Sequence, residues 1–358
     1  MIVIGVIWIV AAFALNLFGK TAAADNLTAD LKPAFTDASI QQYERDAATV
    51  VAFDREIQDV TVPFLSEQLG MTPKEVAGIL TSNYPAVGRV LSPTDNSGAP
   101  YADGRPYLDH AADYMTGVAT ALEANQANFN AASNIPASFL PTKVVAVLFL
   151  LLGILGVLIG WRVWSTPGPR SGIALVAGLG IIVIVAPLVL GLLGKTAKLD
   201  TLMGNWEGVF TYSGPASITE GQAYLTAVRA ADVELETKVV RDLPDLLGAK
   251  PDAVVEALKA NSPVVATGLL EKDSANPEVS VVGGILDRWD ALAGVVHDNI
   301  SDFQKTDDIP GLGLAAKLVP WLLIGPGLLL LLSAYFIWVP GAVGVSRHVA
   351  SDKELASV

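Results

Sequence analysis

The sequence predicts an all-α membrane protein with four transmembrane helices and two duplicated helical-bundle domains outside the cytoplasm. Three observations favour this fold class. Four long apolar runs contain no Asp, Glu, Lys or Arg. The longer segments between them are acidic and repeat apolar residues at three- and four-residue steps, which is typical of amphipathic helices. The motif Gly-Lys-Thr-Ala also occurs twice, at residues 19–22 and 194–197, each time where an apolar run ends.

The composition agrees with a chain that is part membrane-spanning and part aqueous. Hydrophobic residues make up 52% of the 358 residues, and the mean hydropathy is +0.47. The net charge of −13 argues against a nucleic-acid partner, which needs a basic surface. The chain has no cysteine, which removes disulfides, thiolate nucleophiles and cysteine-ligated metals.

The two halves of the chain are predicted to be copies of one unit. Matching positions lie 175 residues apart at the Gly-Lys-Thr-Ala motifs, 178 apart in the acidic segments and 174 apart towards the second apolar run of each half. The matches include Leu69-Gly70 with Leu247-Gly248, Pro85 with Pro263, Ile135-Pro136 with Ile309-Pro310, Lys143 with Lys317, and Trp164 with Trp338. Such a block-wise constant offset indicates a tandem duplication with short insertions and deletions.

The first predicted transmembrane helix occupies residues 1–19. Its uncharged part would span about 27 Å as a helix, just enough for a hydrocarbon core. The alternative is a cleaved signal peptide, because the alanines at 22–24 offer a cleavage site. No basic residue precedes the run, however, and the matching run in the second half is internal, so we expect the helix to be retained.

The first extracytoplasmic domain is predicted at residues 20–143, with 15 acidic and 8 basic residues. A capping-box pattern at Ser39, which recurs at Ser217 in the second half, and the pair Thr72-Pro73 mark helix starts. Residues 92–106 have the composition of a loop, and a last helix is expected to follow it.

The remaining elements repeat this plan. In chain order we expect a transmembrane helix at 144–164, a cytoplasmic loop at 165–171, a transmembrane helix at 172–194, a second helical ectodomain at 195–317, a transmembrane helix at 318–343 and a cytoplasmic tail at 344–358. The second ectodomain is also acidic, with 19 acidic and 11 basic residues.

The positive-inside tendency places both acidic domains outside the plasma membrane. The stretch at residues 162–170, between the second and third apolar runs, carries two Arg and no acidic residue, and the tail adds Arg347 and Lys353. Lysines also border the spans at their opposite ends, but they adjoin long domains that translocate with little regard to charge. The residues that we expect at the membrane boundary are Lys20, Lys143, Lys195, Lys317, Trp164 and Trp338.

The sequence contains no evident catalytic or metal-binding constellation. Asp109, His110 and Asp113 supply only a loose group, whereas a metal site needs three or four converging ligands. The apolar runs contain no ionisable residue of the kind that ion-coupled transporters place there. We therefore expect no enzymatic activity, no metal and no cofactor. Trp206 and Trp289 lie in the second ectodomain, as core residues or as contacts to a partner.

With its Gly-Lys-Thr-Ala repeats, Leu-Gly-x-x-Pro turns and Ala/Val/Asp-rich helices, the chain resembles uncharacterised actinobacterial membrane proteins. Those proteins look like tandem units of membrane helix, helical ectodomain and membrane helix, so the resemblance implies architecture and no activity. Each half is also similar in topology to chemoreceptor sensor modules, although the cytoplasmic parts are too short for a signalling domain.

These observations favour a non-enzymatic accessory or scaffold subunit of a larger cell-envelope complex, such as a transporter or a membrane enzyme. Its contacts would be membrane lipids and protein partners. The alternatives are an extracytoplasmic binding protein for a lipid or other apolar ligand, held between helices, and a sensor-like module.

Overall fold

The computed structural model describes residues 1–95, 97–165, 169–212, 214 and 216–338. Within these ranges the chain is helical, with isolated β-bridges but no strand, which confirms the all-α prediction. The α-helices are α1 (Ile2–Ala14), α2 (Leu17–Leu31), α3 (Asp37–Glu56), α4 (Val62–Leu69), α5 (Pro73–Asn83), α6 (Pro85–Val90), α7 (Tyr107–Ala132), α8 (Lys143–Ser165), α9 (Pro169–Val189), α10 (Leu192–Trp206), α11 (Ile218–Glu234), α12 (Val240–Leu247), α13 (Pro251–Asn261), α14 (Pro263–Leu270), α15 (Val281–Asp298), α16 (Ile300–Asp307) and α17 (Trp321–Trp338).

The chain divides into two compact units. The spanning unit comprises Met1–Ala22, Asn134–Ala197 and the chain from Asp308 onward. The polar unit comprises Ala23–Ser133 and Lys198–Asp307. Residues from both expected ectodomains therefore share one compact unit.

Three helices are long and apolar enough to cross a membrane: Lys143–Ser165, Gly172–Val189 and Ala316–Phe336. A fourth candidate is the pair Ile2–Ala14 and Leu17–Leu31, which is bent by 54°. The chain thus has three or four helices of this kind among the residues described. Residues 339–343 of the predicted fourth span, and the predicted tail, lie outside the described residues.

Two of the predicted spans end earlier than the apolar runs suggest. After α1 the chain turns at Asn16, which adopts a positive φ of 52°, and after α9 it turns at Gly191, with φ of 64°. A left-handed residue cannot continue a right-handed helix, so each run is divided into two helices. The two turns lie 175 residues apart.

Glycines set the close packing of the spanning helices, which pair as α1 with α8 and α9 with α17. A Cβ on Gly5 would lie 2.6 Å from the carbonyl oxygen of Gly153, and one on Gly180 would lie 3.0 Å from that of Gly327. Small residues allow such close backbone approach between membrane helices. The indole Nε1 of Trp8 also donates to the Leu322 carbonyl at 3.2 Å.

Helices α3 and α11 are central to the polar unit. Helix α3 packs against α7, α14 and α15, and helix α11 packs against α6, α7 and α15. Each continues into a π-helical segment, Ile57–Thr61 after α3 and Leu235–Val239 after α11. The short helices that follow, α4 and α12, each end at a left-handed glycine, as the Leu-Gly-x-x-Pro pattern leads one to expect.

The helix starts agree with the sequence patterns at two of three places. Thr72 forms a full capping box with Glu75, and Ser217 caps α11 by accepting from the Glu220 amide. The expected start at Ser39 is wrong, because α3 begins at Asp37. Its N-cap is Thr36, whose hydroxyl accepts from the Ser39 amide at 3.2 Å.

Candidate functional site

An apolar cavity of about 80 Å³ lies in the polar unit beside the two π-helical segments. Its wall is built largely from pairs of residues that lie 178 positions apart in the chain. The eight pairs are Phe53 and Ala231, Ile57 and Leu235, Thr61 and Val239, Val62 and Val240, Leu65 and Leu243, Leu80 and Leu258, Val87 and Val265, and Leu91 and Leu269. Both halves therefore contribute equivalent positions to one cavity.

The size of the cavity limits what it can hold. Ordinary small-molecule sites measure roughly 300–1,000 Å³, and an engineered apolar cavity that binds benzene measures about 150 Å³. The observed 80 Å³ accommodates a smaller molecule than these. A lipid chain does not fit unless the surrounding helices separate.

One carboxyl group, that of Asp232, belongs to this wall, which is otherwise apolar except for Thr61. Asp232 is 6% exposed. Its Oδ1 has no hydrogen-bond partner among the described residues. Burial, with the nearby charge of Glu236, raises the pKa of Asp232 to about 7. The group is therefore held with its proton at mildly acidic pH.

The matching carboxyl group in the first half, Asp54, is equally buried but has partners. The side-chain amide of Gln58 donates to Asp54 at 2.7 Å and to Asp109 at 2.5 Å. Arg105 Nε in turn donates to Asp109 at 3.0 Å. Burial and the neighbouring Asp109 raise the pKa of Asp54. Burial alone would also raise the pKa of Asp109, but hydrogen bonds involving Asp54, Gln58 and Arg105 lower it.

Asp54 and Asp109 thus titrate as a pair, in which Asp109 has the lowered pKa and Asp54 the raised one. At the positions that correspond in the second half, Gln58 is replaced by Glu236 and Asp109 by Gly283. This divergence explains why Asp232 lacks the partners that Asp54 has. The 178-residue spacing of two aspartates on matching helix faces was visible in the sequence, but their burial was not.

A second pair of carboxylates ties the two halves of the polar unit together. Glu234 accepts from the amides of Ala86 and Val87, at 2.7 and 3.1 Å, at the start of α6. Glu56, which lies 178 residues before Glu234, accepts from the Val265 amide at 2.6 Å, at the start of α14. A carboxylate satisfies unpaired amides at a helix N-terminus and interacts favourably with the helix dipole. Each half therefore caps a helix of the other.

Trp206 and Trp289, which the sequence offered as core residues or as contacts to a partner, are buried. Each is 2% exposed. The ring of Trp206 lies 5.7 Å from that of Phe35, and the ring of Trp289 lies 5.4 Å from that of Tyr43. Both occupy the core of the polar unit, and neither presents a surface to a partner in this structure.

Two of the predicted boundary lysines are engaged within the spanning unit. Lys20 is 8% exposed, and its ammonium group donates to the Asp308 carbonyl at 2.9 Å and pairs with the Asp308 carboxylate at 2.7 Å. The ammonium group of Lys195 donates to the carbonyls of Asn134 and Pro136, both at 2.9 Å. Each lysine thus binds a loop from the other half of the chain: Lys20 binds the loop at Asp308, and Lys195 binds the loop at Asn134 and Pro136.

The other boundary residues lie at the ends of spanning helices. Lys143, at the start of α8, and Lys317, just before α17, are exposed. Trp164, near the end of α8, is 75% exposed. Trp338 is the last residue of α17.

The described residues contain no group of three or more His, Cys, Asp or Glu side chains placed to hold a metal ion. The carboxylates of Asp109 and Asp113 instead form ion pairs with the guanidinium group of Arg105, with N–O distances of 3.0 and 2.7 Å. His110 packs against the ring of Tyr101, with 3.8 Å between the ring centroids.

Comparisons with protein-family models, with curated proteins and with solved structures found no match to this chain. Its function must therefore be inferred from its own geometry.

Proposed function

We propose that this chain is a multi-pass membrane protein that arose by tandem duplication, with both acidic segments outside the cytoplasm. We further propose that it is a non-enzymatic accessory or scaffold subunit of a larger cell-envelope complex. The recurrence of the π-helical segments, the left-handed glycines and the exchanged carboxylate caps at constant spacing supports the duplication.

The single observation that carries the scaffold role is the reciprocal capping by Glu56 and Glu234. Separating the two halves would leave each carboxylate and its amide partners unpaired. A hydrogen bond to a charged group contributes about 1.5–3 kcal/mol to stability after exchange with water is taken into account. A unit locked in this way offers fixed surfaces, as a scaffold needs, and resists the opening that a two-lobed binding protein uses.

The spanning helices support the same role. Their apolar runs contain no ionisable residue, so they lack the side chains that proton relays and ion-coupled transporters place there. Helix α8 instead exposes a row of apolar side chains, Leu151, Ile154, Leu155 and Leu158. Such a face suits lipid or the helices of a partner.

The second candidate function is the binding of a small apolar molecule, and the cavity with Asp232 favours it. The cavity surface is apolar in this structure, so the Asp232 carboxyl group would have to turn towards it to supply one hydrogen bond to such a molecule. The volume of about 80 Å³ favours a molecule smaller than benzene over a lipid.

Site-specific photocrosslinking in the native host tests the scaffold role. A photoreactive amino acid replaces exposed residues of the polar unit one at a time, for example at Lys74 and Lys259, and the adducts are resolved by mass. We expect one protein to be crosslinked reproducibly from a contiguous patch of positions. Only self-adducts, or adducts scattered over unrelated proteins from every position, would contradict the proposal.

A further inference from the structure

Two loops of the spanning unit present large apolar side chains to the outside. Phe139 is 79% exposed, and Leu312 is 83% exposed. Each sits at the tip of a tight loop that follows a cis Ile-Pro peptide, at Ile135-Pro136 and Ile309-Pro310. Isolated side chains of this size are ordinary on a surface, but two on corresponding loops of one unit call for a common explanation.

The loops are held in place by hydrogen bonds. An isolated bridge joins Ala137 to Leu140 in the first loop, and another joins Gly311 to Leu314 in the second. The ammonium groups of Lys195 and Lys20 bind backbone carbonyls of the first and second loop respectively. The tips are therefore presented by fixed backbone.

The position of the loops in the chain indicates what covers the tips. Phe139 lies four residues before Lys143, where one candidate span begins, and Leu312 lies four residues before Ala316, where another begins. Leu314 and Leu318, between the second tip and α17, are 40% and 37% exposed, so the apolar surface continues from the loop to the span.

The charges at the same place match a lipid surface. Lys143 and Lys317 are exposed where these spans begin. Basic side chains at the ends of membrane helices extend towards the headgroups, and anionic lipid attracts them. The apolar tips therefore suit the acyl chains of a bilayer, and the neighbouring lysines suit the phosphates above them.

We propose that Phe139 and Leu312 are a pair of membrane-interface wedges, inserted among the acyl chains of the leaflet from which α8 and α17 enter the bilayer. This inference rests on the proposed membrane insertion of the chain. The loops would fix the depth of the spanning unit, with the lysines at the phosphates and the tips below them.

The absence of cysteine makes the test direct. Phe139→Cys and Leu312→Cys are made separately, labelled with a nitroxide and reconstituted as full-length protein in vesicles of neutral and anionic phospholipid. Power-saturation electron paramagnetic resonance then compares collisions of each label with oxygen, which concentrates in lipid, and with a water-soluble nickel chelate.

Two matched positions complete the design. Leu151→Cys, 52% exposed within α8, reports the bilayer interior, and Lys74→Cys, exposed on α5, reports water. We expect the tip labels to favour oxygen over the nickel chelate, as the Leu151 label does. A lipid signal at Leu151 with a water signal at both tips would overturn the wedge inference alone.

The other outcomes are also decisive. A water signal at Leu151 would overturn the membrane insertion on which the inference rests. Tip labels shielded from both oxygen and the chelate would indicate contact between protein copies, and would likewise overturn lipid as the occupant.

Discussion

Replacing Asp232 with asparagine should stabilise the protein at neutral pH and change little near pH 4. The pKa of Asp232 is about 7 in the folded protein, against an ordinary value of 3.8. The folded state therefore keeps a proton that the unfolded state has lost, and its stability falls as the pH rises through this interval. Each pKa unit corresponds to about 1.36 kcal/mol, so the full effect is about 4 kcal/mol. Asparagine does not ionise and avoids this loss.

The assay is the thermal or denaturant unfolding of the full chain in mild detergent, followed by far-UV circular dichroism between about pH 4 and pH 8. The free energy of unfolding of Asp232→Asn, relative to the unmodified protein, should rise with pH by about 2–4 kcal/mol and level off above about pH 7. Glu123→Gln, which removes an exposed carboxylate from α7, should show no such rise. A constant difference between Asp232→Asn and the unmodified protein across this range would refute the assignment of a buried, protonated carboxyl.

Three further predictions concern packing and capping. Gly5→Ala should weaken the pairing of α1 with α8, because the added Cβ would lie 2.6 Å from a backbone oxygen of α8. The control Gly178→Ala, which adds a Cβ in open space, should not. The yield of cysteine crosslinks between α1 and α8 compares the two variants. Glu234→Gln should lower the free energy of unfolding by about 1–3 kcal/mol and speed amide hydrogen exchange in α6, because it weakens the cap on that helix. Glu56→Gln should have the same effects through α14. Trp289→Ala should lower the free energy of unfolding by about 3–5 kcal/mol, because it removes a large side chain from the core. A loss below about 1 kcal/mol would contradict the burial of Trp289 in the core.

The sequence predicted the helical class and some helix limits, because these depend on local signals. Hydropathy identified the candidate spans, Thr72-Pro73 marked a helix start, and the predicted Leu-Gly-x-x-Pro turn contains the left-handed Gly70 at which α4 ends. At the start of α3 the pattern was ambiguous, because Thr36 and Ser39 are both good caps and only the fold selects Thr36.

The packing within the polar unit depends on contacts between distant segments, which no local pattern encodes. The exchange of caps between Glu234 and α6 joins residues 148 positions apart. The π-helical segments could not be distinguished from a continuous amphipathic helix in the sequence, because one inserted residue barely changes the hydrophobic period. The cavity and the unpaired carboxyl of Asp232 follow from that packing, so they were not predicted.

The central claim is that both acidic segments stand together on the outer side of the membrane, and cysteine accessibility in intact cells tests it most directly. Lys74→Cys and Lys259→Cys place single thiols on α5 and α13 of the polar unit, and Ser165→Cys places one at the end of α8. The account predicts that a membrane-impermeant maleimide labels the first two in intact cells and labels Ser165→Cys only after permeabilisation. Labelling of Ser165→Cys in intact cells, or of Lys74→Cys and Lys259→Cys from opposite sides, would contradict it.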